Sequence, residues 1–464
     1  MQSANVEQVD LLISAGCIVT VDQQRQIIRD GAIAIRGSDI VAIGPRDAIE
    51  RAYVGLKTIH APQGLITPGL IDAHNHPIDY LIKGMVDDTP QIVRLRDRVI
   101  PYEDQLTEEQ AYASSAATFV EMIRQGTTCF VDGAGPMPHA VARAALDLGM
   151  RGIVARKLAD IAGPFGGLIQ DTDEAIALAN ETVERFNGAG DGLLRACYDL
   201  DMPAVVSDRL AEMVLTQALK RGVGIVAHLI GRRAPPGEPE VVANADIARL
   251  HRLGLLGPHL LLAHIGWIPA NDVALLAATK TNVVHCPASS LVGGNGWVAH
   301  GVIPDLVAGG VNVALGTDAA IIARTLDMVR IMNLASCVHK DARRDPLIMD
   351  PYTVFEMATI RGAKAVHWDD RIGSLEVGKA ADLAIFDTSS PHWWPEPLGN
   401  PVPDLVYGGT GRDARTVVIN GKVVMEDGNL IGVDVASIAC AVRSAAAASY
   451  ARLGAVPSGV WPLR

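Results

Sequence analysis

GLITPGLIDAHNHP, residues 64–77, decides how the rest of the chain is read. It starts as a β-rich run and ends on two histidines two positions apart. On an extended strand, residues i and i+2 face the same side, so His74 and His76 can grip one ion together. A strand ending on such a pair fits a barrel whose site lies at the C-terminal ends of its strands. Seven more strand-like segments follow: GTTCFVDG (126–133), RGIVARKLAD (151–160), GLLRACYDL (192–200), GVGIVAHL (222–229), HLLLAHIG (259–266), NVVHCPAS (282–289) and VNVALGTDA (311–319). Amphipathic stretches such as EEQAYASSAATFVEMIRQ (108–125) and SDRLAEMVLTQALKR (207–221) lie between most of them. Eight β-then-α units predict an α/β fold, a distorted (β/α)8 barrel over residues 68–371.

The ends of the chain have a different texture. Short β-rich runs punctuated by Gly, Asp and Pro fill residues 1–67. They return in GKAADLAIFD (378–387), DLVYGG (404–409) and ARTVVINGKVVMEDGNLIG (414–432). Asn420-Gly421 between two β-branched runs is a strong hairpin signal. Residues 1–67 and 372–435 are therefore expected to build one composite β-sandwich, and 436–464 an Ala-rich helical tail. The segment 77–105 is a long excursion after the first barrel strand, and loops there usually cover the site.

Bulk properties set bounds. The 464 residues are 49% hydrophobic and 20% charged, enough for one large domain with a small one attached. The net charge of −12 argues against a nucleic-acid binder, which would need a basic face. Six scattered cysteines without a CxxC spacing suggest reduced, mostly buried thiols. The N-terminus shows no signal-peptide pattern and no apolar run is long enough for a membrane span, so a soluble cytoplasmic protein is expected.

The histidines carry the chemistry. His74 and His76 end the first barrel strand, His228 the fifth, His264 the sixth, His285 the seventh, and Asp318 the eighth. A lone HxH is weak evidence. Six polar residues at the ends of otherwise apolar strands are hard to explain as packing, and imidazoles with one carboxylate suit zinc, with iron or cobalt accepted by the same donors. The remaining histidines read as structural or solvated.

The motifs TPGLIDAHNHP (67–77), AHLIG (227–231), LLAHIGWI (261–268), VVHCPASS (283–290), LGTDAA (315–320) and IGSLEVGKAADLAIFD (372–387) resemble those of the amidohydrolase superfamily, in its cytosine deaminase-like and triazine hydrolase-like branch. The resemblance spans essentially the whole chain. It implies one divalent metal ion, zinc first, held by His74, His76, His228 and Asp318. His264 and Asp318 would be catalytic, and His285, Trp267 and Ile322 would contact a small-molecule substrate. It also implies a homo-oligomer, dimer or tetramer. The fourth strand, RACYDL, lacks the bridging lysine of dinuclear relatives, which favours a single ion, and Lys157 reads as a pocket or structural residue.

The departures lie where substrate would sit. Deaminases of the branch carry a glutamate three residues after the fifth-strand histidine; here it is Gly231. Attack on an aromatic amidine carbon pushes charge onto a ring nitrogen, which that glutamate protonates. A carbonyl compound has no such nitrogen, and its developing charge rests on oxygen. On this ground the expected reaction is hydrolysis of a C–N bond (amide, urea, carbamate) or C–S bond (thiocarbamate) at a carbonyl, as in phenylurea and molinate hydrolases of the branch. Deamination of an amino-substituted N-heterocycle is the alternative, with Glu238 or Glu240 as a conceivable substitute acid. An inactive binding relative is the third reading. The loop 77–105 also lacks the tryptophan often found there.

Overall fold

Among the described residues, sixteen strands make two sheets. Four open the chain: β1 (Glu7–Val19), β2 (Ile27–Arg36), β3 (Asp39–Pro45) and β4 (Tyr53–Pro68). Eight follow as β5 (Leu70–Asn75), β6 (Thr127–Asp132), β7 (Arg151–Arg156), β8 (Leu194–Asp199), β9 (Ile225–Leu229), β10 (Leu260–His264), β11 (Asn282–His285) and β12 (Val313–Leu315). The last four are β13 (Leu383–Asp387), β14 (Ala414–Ile419), β15 (Lys422–Glu426) and β16 (Asn429–Leu430). This computed structural model describes residues 6–133, 135–163, 166–167, 169–229, 246–395 and 399–454.

Strands β5 to β12 are hydrogen-bonded in sequence order and run parallel. Covered on both faces, they read as near-continuous apolar runs. The seam between β12 and β5 is closed by residues of the candidate site: the His76 amide donates to the Asp318 carbonyl at 2.9 Å, and the Asp318 amide to the His74 carbonyl at 2.9 Å. The first and last elements of the barrel thus join at the point where chemistry is expected.

The other sheet has the order β16-β15-β14-β13-β4-β1-β2-β3, so the two ends of the chain share it, as anticipated. Only β1 and β4 pair in parallel. The sheet doubles back: the Gly37–Ser38 turn abuts the Asn420–Gly421 turn, and Ile13, Ile33, Ile40, Ile385 and Val418 share one core. Asn420 (φ 52°) and Gly421 (φ 75°) form the tight hairpin turn their sequence predicted.

DLVYGG is not β-structure. Val402–Tyr407 is a helix: Pro401 precedes it, the Asn400 side chain accepts from the Val402 amide at 2.9 Å, and Val402, Leu405 and Val406 bury one face at helical spacing. Arg151 on β7 binds the two units together. Its guanidinium is buried and donates to both Asp382 oxygens (2.6 and 3.0 Å) and to Asn420 Oδ1 (2.8 Å). Cys129, Cys197 and Cys286 are buried, Cys17 is half-buried, and Cys337 and Cys440 are exposed; all six are free thiols. Among the described residues, no helix is long and apolar enough to cross a membrane.

The tail forms a helix, Val435–Leu453, against its own chain. Its half-buried Ile438, Val442, Ala446 and Tyr450 pack on the core, and the Tyr450 hydroxyl donates to the Lys83 carbonyl at 2.6 Å.

Candidate active site

The strand ends bring four imidazoles and one carboxylate together. His76 Nε2 lies 3.4 Å from Asp318 Oδ1, His74 Nε2 3.7 Å from the same oxygen, and His264 Nε2 4.0 Å from Asp318 Oδ2. His228 Nε2 is 3.3 Å from His76 Nε2. Two overlapping groups, His74–His228–His264 and His74–His76–Asp318, have donor atoms within 4.8 Å of one another.

The backbone is shaped to aim these groups. His264 (φ 80°) and Asp318 (φ 71°) both sit in the left-handed region that ordinary side chains avoid, a strain that recurs at functional sites. Asp72, inside β5, braces the turn that carries Asp318. Its carboxylate accepts from the Thr317 amide at 2.9 Å and from the Thr317 hydroxyl. Burial, against these bonds, lifts Asp72 to about 7. His228 Nδ1 lies 3.0 Å from the Asp201 carbonyl, which turns its Nε2 toward the centre.

Electrostatics of the cluster favour a cation. Burial first, then the neighbouring imidazoles, hold His74 well below its ordinary value; burial also pushes His76 and His264 down to about 4, against the pull of Asp318. Burial alone would raise Asp318. The imidazoles, His264 first, and the Ser289 side chain outweigh it and hold the carboxyl below its usual range. The neutral imidazoles of His74, His76 and His264 crowd an ionised carboxylate, and among the described residues the buried His74 Nε2 has no hydrogen-bond partner. Unsatisfied buried lone pairs are costly. A divalent ion fits this donor set.

Above the cluster is a cavity of about 100 Å³. The long excursion after β5 forms one wall, with Asp79, Arg94, Leu95, Val99, Ile100 and Glu103, as expected of a covering segment. It is a 3-10 helix (Pro77–Ile82), a short helix (Gln91–Arg94), a π turn (Leu95–Val99) and a final turn (Ile100–Glu103). Ile321 and Ile322 line another side. Lys157 Nζ reaches Glu103 Oε2 at 3.1 Å and Asp201 Oδ2 at 3.7 Å, so it is a paired pocket residue.

Two anticipated substrate contacts are placed elsewhere. His285 ends β11 but is 1% exposed; its Nε2 lies 3.1 Å from His339 Nε2, and it does not line the cavity. Trp267 stacks on His300, centroids 6.0 Å apart, and does not line the cavity. Trp297 does, with its ring centroid 5.2 Å from His264. Gly266 makes that fit: a Cβ there would lie 1.9 Å from Trp297 Cδ1. Nothing in GGNGWVAH marks Trp297, because a chain pattern does not report which loop folds over a neighbouring strand end. Gly231, Glu238 and Glu240 lie outside the described residues.

Residues 65–424 match the model of the amidohydrolase family. The chain belongs to that family. Relatives named 5-methylthioadenosine/S-adenosylhomocysteine deaminase share 34% identity in Syntrophobacter fumaroxidans (94% of this chain, 97% of the relative) and 33% in Moorella thermoacetica (89% and 94%). Among solved structures, an adenosine deaminase from Xanthomonas campestris with bound zinc superposes with a TM-score of 0.87 at 28% identity, covering 96% of this chain and 99% of that one. Atrazine chlorohydrolase from Arthrobacter aurescens, in complex with zinc, shares the fold: TM-score 0.81, 21% identity, 94% and 100% coverage. This amidohydrolase therefore has the barrel and attached sheet its motifs implied.

Proposed function

We propose that this amidohydrolase uses one zinc ion, held by His74, His76, His228 and Asp318, to hydrolyse an amine from a trigonal carbon of a small molecule. The observation that carries this is the convergence of four imidazoles, three of them buried and that of His76 half-buried, and an ionised carboxylate at the floor of a cavity. An ion there supplies Lewis acidity and makes hydroxide available near neutral pH. Asp318 accepts a proton from the attacking water and returns it to the leaving amine. His264, neutral and facing Asp318, donates a hydrogen bond where negative charge develops.

The names of the relatives reverse the preference drawn from Gly231 alone and favour ring deamination of an amino-substituted N-heterocycle. That reaction requires a proton for the ring nitrogen. Asp79 can supply it: it lines the cavity, its Oδ1 has no hydrogen-bond partner among the described residues, and burial, then Glu103, push its carboxyl well above the ordinary range. A second reading, cleavage of a C–N or C–S bond at a carbonyl, is favoured by Gly231 and by the apolar walls at Leu95, Val99, Ile100, Ile321 and Ile322.

Product mass tests both. The zinc-loaded protein is incubated with amino-pyrimidines, amino-purines, amino-triazines, anilides, phenylureas and thiocarbamates. Exchange of a ring amine for hydroxyl with ammonia release supports deamination. Splitting into an acid-side fragment and an amine or thiol overturns it for the second reading. Gly231→Glu is the companion variant: new deaminase activity on a protein that otherwise cleaves carbonyl compounds would identify residue 231 as the divide.

A further inference from the structure

Arg94 has no role in the chemistry described so far, and its position is unusual. It ends the short helix Gln91–Arg94, is 6% exposed, and lines the cavity above the metal-ligand cluster. Its guanidinium forms no ion pair or hydrogen bond with any described residue; the Asp318 carboxylate acts on it only through space. An arginine stays charged even when burial opposes it, and the nitrogens of this largely buried residue keep access to the cavity, where no described residue pairs with them. The other cation of the cavity, Lys157, is paired with Glu103 and Asp201. The same cavity has apolar lining at Leu95, Val99 and Ile322.

We infer that Arg94 is a specificity-determining residue that binds a planar oxyanion, a carboxylate, on the substrate. This deepens the hydrolase reading and rests on it. The substrate class is a small molecule with an apolar body and one carboxylate, oriented so that its amine-bearing carbon faces Asp318 and His264. A guanidinium suits this task because its parallel N–H groups hold two carboxylate oxygens at once. The pairing also supplies a countercharge at the moment of binding, whereas a neutral analogue that fills the cavity covers the guanidinium without pairing it. Discrimination by unpaired buried groups is large.

The test is binding without turnover. Isothermal titration calorimetry compares benzoate with its neutral isostere nitrobenzene on the zinc-loaded protein, on Arg94→Gln and on Arg94→Lys, with circular dichroism and zinc content as checks on folding. The expected result is a preference for benzoate of about tenfold or more in the parent protein. Arg94→Gln should abolish it, and Arg94→Lys should keep part of it. Equal binding of the two ligands by the parent protein overturns the inference. So does a benzoate preference that survives in Arg94→Gln, since the carboxylate would then be held by the ion alone. Neither ligand is hydrolysed, so failure here is separate from failure of the product-mass experiment. A carboxylate preference with no hydrolysis of any panel compound or of its carboxylate-bearing analogues would sink the hydrolase reading and leave the Arg94 site standing.

Discussion

Gly133, just after β6, is the position where one methyl group tests the metal centre most directly. A Cβ there would lie 2.7 Å from His74 Cε1, 2.9 Å from His76 Cε1 and 3.0 Å from His76 Nε2. Its φ is not in the left-handed region, so alanine suffers no backbone penalty and Gly133→Ala acts through this contact alone. Both rings must retreat by on the order of 0.5 Å to restore ordinary packing. Overfilling a close-packed site costs about 1–3 kcal/mol. In the metal-free protein the imidazoles can swing aside; with an ion bound they are pinned. The strain should therefore appear as lost metal affinity, roughly 5- to 140-fold at 1.4 kcal/mol per decade. Competition against a chromophoric chelator measures that affinity, and thermal unfolding with and without zinc separates it from general instability. The reasoning fails if Gly133→Ala binds zinc as tightly as the parent protein. It also fails if the melting temperature drops equally in both forms, because the clash would then be structural and the two histidines would not be pinned ligands.

Asp318→Asn removes the proposed proton carrier and should lower kcat/KM by on the order of 10³ with an unchanged circular dichroism spectrum; activity within tenfold of the parent would sink the role. Asp79→Asn should abolish ring deamination while leaving zinc content unchanged; retained deaminase activity would remove Asp79 as the proton donor. Asp382→Ala strands the buried Arg151 guanidinium and should cost about 3–5 kcal/mol in urea unfolding, more than an exposed pair such as Arg209–Asp173. His339 is held at about 4, by burial first and then by the Arg343 charge, against an ordinary 6.5. Between these values the unfolded chain binds more protons than the folded one. The corresponding stability is fully present above pH 6.5 and is lost as pH falls toward 4. Urea midpoints across that window should decline, and His339→Gln should flatten the decline; an equal slope in the variant refutes the assignment.

Much of this molecule is legible along the chain. All eight barrel strands and the Asn420-Gly421 hairpin are local patterns of apolar runs and turn residues, and such patterns depend on neighbours close in sequence. The candidate ligands are legible for the same reason: a histidine at a strand end stands out against an apolar run, and parallel barrel strands place all their ends on one face. DLVYGG misleads because a short apolar run does not distinguish a strand from a helix; the bond from the Val402 amide to the Asn400 side chain and the one-sided burial of Val402, Leu405 and Val406 decide it.

What the sequence alone determined is the barrel, the shared second sheet and the set of residues at the strand ends, because periodicity and turn chemistry are local. What only the tertiary structure decided is the cavity. Trp297 replaces Trp267 as the aromatic wall, His285 turns back onto His339, and Asp79, Arg94 and Glu103 descend from a covering segment. Those placements depend on how loops from different strands fold over one another. Contacts between residues far apart in sequence leave no periodic signal, so the chemistry of the floor can be read from the chain while the walls that select a substrate emerge only when it is folded.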